Sequence, residues 1–185
     1  MVGAILVQQT AWENVVKVID DMKDRGVLDV DVMATMLQEE LEEIVRPAGF
    51  YRQKSARLQH LAQHIQKNHA SDPRKMLRGP TRDVRKELLS LPGIGEETSD
   101  AILLFGGGHP KFIAAAYIQR ILGRLGILDS NNYGEVQRFV ETALPPEPKV
   151  YARLYALMVH HARNVCRSRP QCMSCCLRDA CESSE

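Results

Sequence analysis

The first 165 residues of this 185-residue chain contain no cysteine. Thiols therefore take no part in the body of the protein, neither as scattered core residues nor as a disulfide net. Long apolar runs are also missing. Nothing approaches the roughly 20 consecutive apolar residues of a spanning helix, so the chain is expected to be soluble, with no membrane partner. Strand signals are weak, because alternating β-branched residues are nowhere sustained. No internal repeat or low-complexity stretch is present, which sets aside repeat architectures. A surplus of one charge is lacking as well: 24 Lys and Arg against 23 Asp and Glu leave a net +1, which by itself says little about partners.

What is present is helical periodicity, with 44% hydrophobic residues in a chain long enough for one sizeable core or two small ones. Val15, Val16, Val18 and Ile19 form a stripe within a helix expected over 12–23, with Thr10 as its N-cap and Gly26 as its stop. Further helices are expected over 31–37, 39–45, 53–68, 81–89, 96–105, 115–125, 133–143 and 149–165, which makes the fold all-α. The opening segment, Met1 to Val7, is apolar and uncapped. It reads either as a short helix of its own or as the remainder of a longer N-terminal element, since few helices open apolar on all sides.

All five cysteines lie in the last twenty residues, and Cys166, Cys172, Cys175 and Cys181 form the pattern C-x5-C-x2-C-x5-C with Cys176 beside the third. Crowded thiolates on one short loop suit a soft metal or an iron–sulfur cluster. Disulfides fit poorly, because no apolar signal segment follows Met1 and an odd thiol is left over. Structural zinc sites usually show two close pairs separated by a longer loop. Here a single close pair is flanked by two evenly spaced outer ligands, which favours a four-iron cluster, with structural zinc as the alternative. Cys176 could replace Cys175, although the x2 spacing argues for Cys175. A reducing, intracellular setting follows, cytoplasmic or nucleoid in a prokaryote.

The second signal is Leu91-Pro92-Gly93-Ile94-Gly95, followed by Glu96-Glu97-Thr98-Ser99-Asp100. Pro92 fixes the approach, and the two glycines allow backbone angles that a Cβ resists. A helix then starts at Glu96 with its first amides free to meet a phosphate. An L-P-G turn alone is weak evidence, but L-P-G-I-G running into E-x-T-x-D-A-I-L has the form of a helix–hairpin–helix. Just upstream, Arg74, Lys75, Arg78, Arg82, Arg85 and Lys86 fall within thirteen residues. Such runs are usually solvated helix faces; beside a nucleic-acid motif this one gains weight.

Together the hairpin and the tail resemble the endonuclease III superfamily of helix–hairpin–helix DNA glycosylases with a C-terminal iron–sulfur loop. The resemblance covers nearly the whole chain. Residues 3–10 look like the family's first inner helix and the loop carrying its DNA-probing Gln, here Gln8 or Gln9. The wording from Arg46-Pro47-Ala48-Gly49-Phe50-Tyr51 to Lys54 is similar to the short endonuclease III-like and 3-methyladenine glycosylase branch. The family usually has Pro where Cys176 stands. The resemblance implies two helical lobes, one over about 12–123 and the other joining 1–11 to 124–185, with most of the N-terminal helix apparently absent. It moves iron–sulfur well ahead of zinc. It also implies a monomer that binds double-stranded DNA, with Gln8, Leu91, Pro92, Gly93, Ile94, Gly95, Glu96 and Thr98 as contacts.

In this family a carboxylate stabilises the positive charge that develops on the sugar, and bifunctional members add a Schiff-base lysine. The lysine position is Glu97, so lyase chemistry is not expected. The carboxylate position is Ala115, ahead of the matching Tyr117 and Arg120, and alanine neither accepts a proton nor holds charge. Asp100 and Glu97 are the substitutes within reach of the hairpin, although acids in a helix's first turn are favoured anyway. The expected function is a monofunctional base-excision N-glycosylase that flips a damaged base; the alternative is a homologue that only binds DNA or its lesions. A purely redox role is disfavoured by the hairpin and the basic run.

Overall fold

The computed structural model describes residues 1–184, which are helical with no strand among them. They form two compact units that divide at Gly107–Gly108.

The first unit holds eight helices: α1 (Val2–Leu6), α2 (Trp12–Asp24), α3 (Val30–Thr35), α4 (Gln38–Val45), α5 (Tyr51–His69), α6 (Pro73–Met76), α7 (Thr81–Leu89) and α8 (Glu96–Ala101). Helix α5 is the pillar. Against it pack α3, α4 and, at its N-terminal end, α1. Its buried stripe of Leu58, Leu61, Ala62 and Ile65 sits at helical spacing. Burying the three larger side chains is worth about 5–9 kcal/mol before chain entropy is counted. The helix begins where Gly49 (φ +67) and Phe50 (φ +47) turn left-handed, and it ends where Ala70 and Ser71 do the same.

Several helix ends follow from local chemistry. Helix α7 starts directly after Pro80, whose fixed φ suits the position before the first turn. Helix α2 stops as expected at Gly26, with Val27 N–H bonding back to Met22 O and Gly26 N–H to Lys23 O. Its start differs from the expectation. Ala11 is the N-cap, and the Thr10 hydroxyl instead donates to Ala48 O. That hydroxyl also accepts from Lys54, a fully buried lysine whose Nζ donates to Leu6 O, Thr10 Oγ1 and Ala48 O at 2.8 Å each. Tertiary demand from a buried ammonium has overridden a local capping preference. The helix expected over 96–105 is α-helical only to Ala101. It then widens into a π-helical turn, Ile102–Gly107, that buries Ile102, Leu103 and Leu104.

The second unit contains α9 (Ala116–Arg124), α10 (Tyr133–Ala143), α11 (Pro148–Asn164) and the cysteine loop. Its extended lead-in is fixed to α10: Phe112 N–H donates to Glu141 at 2.9 Å, and buried Gln137 donates to Phe112 O at 2.5 Å. The Phe112 ring meets Tyr151 of α11 edge-on at 5.8 Å. Helix α9 packs along α11.

Candidate nucleic-acid interface and cysteine loop

In the hairpin, Leu91 and Ile94 point into the core while Pro92, Gly93, Gly95, Glu96 and Glu97 face solvent. Two apolar anchors thus hold a small, exposed apex. Gly93 has φ +76, a conformation that L side chains resist. No side chain caps α8, so its first amides are directed outward.

A residue that sequence reasoning did not single out covers this apex. A Cβ built on Gly93 would fall 2.1 Å from Arg57 Nε and 2.4 Å from its Cδ. The Arg57 guanidinium, projecting from α5, also donates to Gln8 Oε1. Gln8 in turn donates from Nε2 to Gly93 O at 3.2 Å and to Thr98 Oγ1 at 2.8 Å. Gln8, Gly93 and Thr98, three of the candidate DNA contacts, are therefore brought into one network with Gln8 at its centre and Arg57 against it. The signal for Arg57 could not be found in spacing, because it depends on α5 passing under the hairpin. Gln9, exposed and left-handed at φ +53, stands beside this network.

The two candidate carboxylates part company. Asp100 is fully buried, and Arg85 grips both its oxygens, at 2.6 Å from Nε and 3.2 Å from Nη2. Arg85 also reaches Glu96 at 3.2 Å. The hydrogen bond and charge of Asp100 raise the guanidinium pKa against the opposing effect of burial. This ion pair ties α7 to α8, the two legs of the hairpin. Glu97 reaches solvent, but surrounding protein desolvates it enough to push its carboxyl above the ordinary value. Ser99 lies between them with a fully buried hydroxyl that has no hydrogen-bond partner.

In the second unit, buried Ala115 is the N-cap of α9, with φ −55 and ψ 157. A side chain here stands at the positive end of a helix, where a carboxylate would be favoured. Two residues on, Tyr117 is exposed, and Arg120 stacks 5.4 Å from its ring. Arg120 donates to Cys166 O and Ala162 O, so it closes the C-terminus of α11.

Arg124, one turn further, holds the start of the cysteine loop through Arg167 O at 2.6 Å and Ser168 O at 3.1 Å. Its Nη1 also donates to Cys166 Sγ at 3.3 Å. Cys175 Sγ accepts from Leu177 N–H at 3.4 Å and lies 3.6 Å from His161 Nε2. Cys166, Cys172, Cys175 and Cys181 are half-buried, whereas Cys176 is exposed. Among the described residues, no three cysteine sulfurs come within 4.8 Å of one another. Tetrahedral zinc thiolates would need separations of about 3.8 Å, given Zn–S bonds near 2.3 Å. Four thiols on one loop, with N–H donors aimed at Cys166 and Cys175, are a soft donor set that could hold a metal centre.

An all-helical fold with a buttressed hairpin and a terminal thiol loop defines a class of DNA-repair scaffold. The chain belongs to the HhH-GPD superfamily of base excision DNA repair proteins, whose family model matches residues 2–146. A protein of Methanocaldococcus jannaschii assigned as a DNA repair glycosylase is 34% identical over 185 residues, spanning 99% of this chain and 84% of that one. The structure of the H. pylori 3-methyladenine DNA glycosylase bound to 1,N6-ethenoadenine superposes with a TM-score of 0.80 at 27% identity, over 88% of this chain and 82% of that one. A non-covalent endonuclease III–DNA complex gives a TM-score of 0.84 at 24% identity, over 99% and 81%, a likeness of fold.

Proposed function

We propose that the protein binds double-stranded DNA as a monomer and acts inside the cell as a monofunctional N-glycosylase on a flipped, damaged base. The observation that carries this reading is the exposed apex of Pro92, Gly93, Gly95, Glu96 and Glu97, held by buried Leu91 and Ile94 and by the Gln8–Arg57–Thr98 network. Backbone amides at such an apex suit a phosphate. Gln9, at the edge of the network, is the side chain free to enter the gap that a flipped base leaves. Glu97 in place of a lysine removes Schiff-base chemistry and leaves hydrolysis, which needs a carboxyl near the anomeric carbon. Asp100 is buried and committed to Arg85, whereas Glu97 faces solvent at the apex, so Glu97 is the better placed of the two.

Cys166, Cys172, Cys175 and Cys181 would hold a [4Fe-4S] cluster whose work is structural. The cluster would fix a loop on which Arg167, Arg169 and Arg178 are exposed and available to phosphates.

One observation favours a second reading, a lesion-binding protein without catalysis: Ala115 at the N-cap where the family carries its acid. Strand-release assays on duplexes carrying abasic, uracil, oxidised or alkylated sites separate the two. Processing of any lesion that Glu97→Gln abolishes supports the enzyme. Binding without processing, converted to activity by Ala115→Asp, shows an intact scaffold that lacks only its carboxylate.

A further inference from the structure

On the first unit, away from the hairpin apex, the side chains of α5 and α7 meet in a cluster that the DNA reading does not use. His64 Nε2 lies 2.7 Å from Glu87 Oε1, and His69 Nε2 lies 2.5 Å from the same oxygen. The three donor atoms all fall within 4.8 Å of one another. We propose that His64, His69 and Glu87 form a binding site for a divalent transition-metal ion of the zinc type, joining the C-terminal turn of α5 to α7.

The donor set and its convergence carry the argument. Two imidazole nitrogens and one carboxylate oxygen are a recurrent three-protein-ligand set for zinc, with solvent completing the sphere. Zn–N and Zn–O bonds near 2.0–2.1 Å place tetrahedral ligands about 3.4 Å apart. The two contacts to Glu87 would therefore open by less than about 1 Å, within the reach of side-chain rotation. The three side chains are 22%, 18% and 30% exposed, so the cluster is lined by protein yet reachable by an ion and by water. An ordinary ion pair does not require two imidazoles to share one carboxylate oxygen.

The proton balance is simple. A neutral imidazole must present a bare Nε2 to the ion and carry its proton on Nδ1. At His64 that Nδ1 lies 3.1 Å from the Asn68 side-chain amide, whose oxygen and nitrogen exchange places by a flip. As placed, the Asn68 Nδ2 donates to His64 O at 3.1 Å, so accepting from Nδ1–H and orienting the ring in the manner of an outer-shell support would require Asn68 to give up that bond. Mechanically, the ion would fasten α7, the helix that leads into Leu91–Gly95, to the pillar α5. The proposal does not depend on the DNA reading.

The test is a Zn2+ titration of the full-length, nitrogen-labelled protein, following the imidazole Nε2 resonances of His64 and His69. Co2+ absorption serves as a second measurement, because thiolate ligation at the cysteine loop gives intense charge-transfer bands that nitrogen and oxygen ligands do not. Both Nε2 resonances should move together and saturate with one ion. Glu87→Gln and His69→Ala should each weaken that binding at least about 10–100-fold. Resonances unmoved by excess Zn2+, cobalt seen only on thiolates, or Glu87→Gln binding zinc like the parent would each overturn the proposal. Should a variant lose its fold, the parent's resonances decide the matter alone.

Discussion

Lys54 shows what one buried charge can organise. Lysine is among the residues least often fully buried, yet this one is 1% exposed with all three of its protons donated. Desolvation, with help from the nearby Arg57 charge, lowers its pKa. Its acceptors come from the end of α1, the loop before α2 and the turn before α5, so one ammonium ties three segments together. Lys54→Met fills similar space but strips Leu6 O of its donor. A loss of about 2–4 kcal/mol is expected, on the scale of an orphaned buried group plus charged hydrogen bonds; urea unfolding checks it, and a parent-like midpoint would refute it. Glu97 offers a second test by titration. Its carboxyl is raised in the folded state, so between the ordinary and the raised value the folded protein keeps a proton that the unfolded chain has released. Stability contributed at this site therefore falls as pH climbs through that window, and no penalty exists below it. Glu97→Gln should flatten this part of the stability–pH curve. An unchanged curve would mean that the carboxyl titrates as in solvent.

Between elements, the Arg85–Asp100 pair does for the hairpin legs what Lys54 does for the N-terminal segments. Asp100 is fully buried while Arg85 keeps 22% of its side chain exposed. Removing the cation leaves a buried carboxylate without its guanidinium, so Arg85→Ala should cost about 3 kcal/mol. Asp100→Asn keeps hydrogen-bonding atoms in place and should cost less. If Asp100→Asn instead abolished lesion processing in a stable protein, catalysis would belong to Asp100 and not to Glu97. This pairing was only half legible in the sequence. Thr81–Leu89 and Tyr133–Ala143 have the expected bounds, because Pro80 and Asn132 write their start signals locally. Helix α6 went unseen, being four residues long with little room for periodicity. The π-helical turn escaped because an apolar run such as Ile102-Leu103-Leu104-Phe105 reads the same in either helix. The cysteine pattern and the hairpin lie within short stretches and were readable. Arg57 over Gly93 and the His64–His69–Glu87 cluster join residues 18 or more positions apart across packed helices. No spacing rule reports such meetings.

For the whole molecule, a net charge of +1 means that affinity for DNA has to come from local patches rather than from overall attraction. One such patch is visible on α7, where Arg82, Arg85 and Lys86 line an open concavity with Leu89 and Ser90. Arg85 is occupied by Asp100 and Glu96, which leaves Arg82 and Lys86 as its exposed cations. Each phosphate neutralised by such a side chain releases condensed counterions. The logarithm of the binding constant then falls with the logarithm of salt by about 0.9 per phosphate. If this face meets the duplex, Arg82→Ala with Lys86→Ala should reduce that slope by about 2. Damaged and undamaged duplexes should be weakened alike, because phosphate contacts carry no base information. Removing Arg169 and Arg178 from the cysteine loop tests the other patch in the same way. Parent-like slopes in both double variants would place the duplex elsewhere on the protein, whereas binding by the parent that ignored salt altogether would remove the electrostatic basis for DNA recognition.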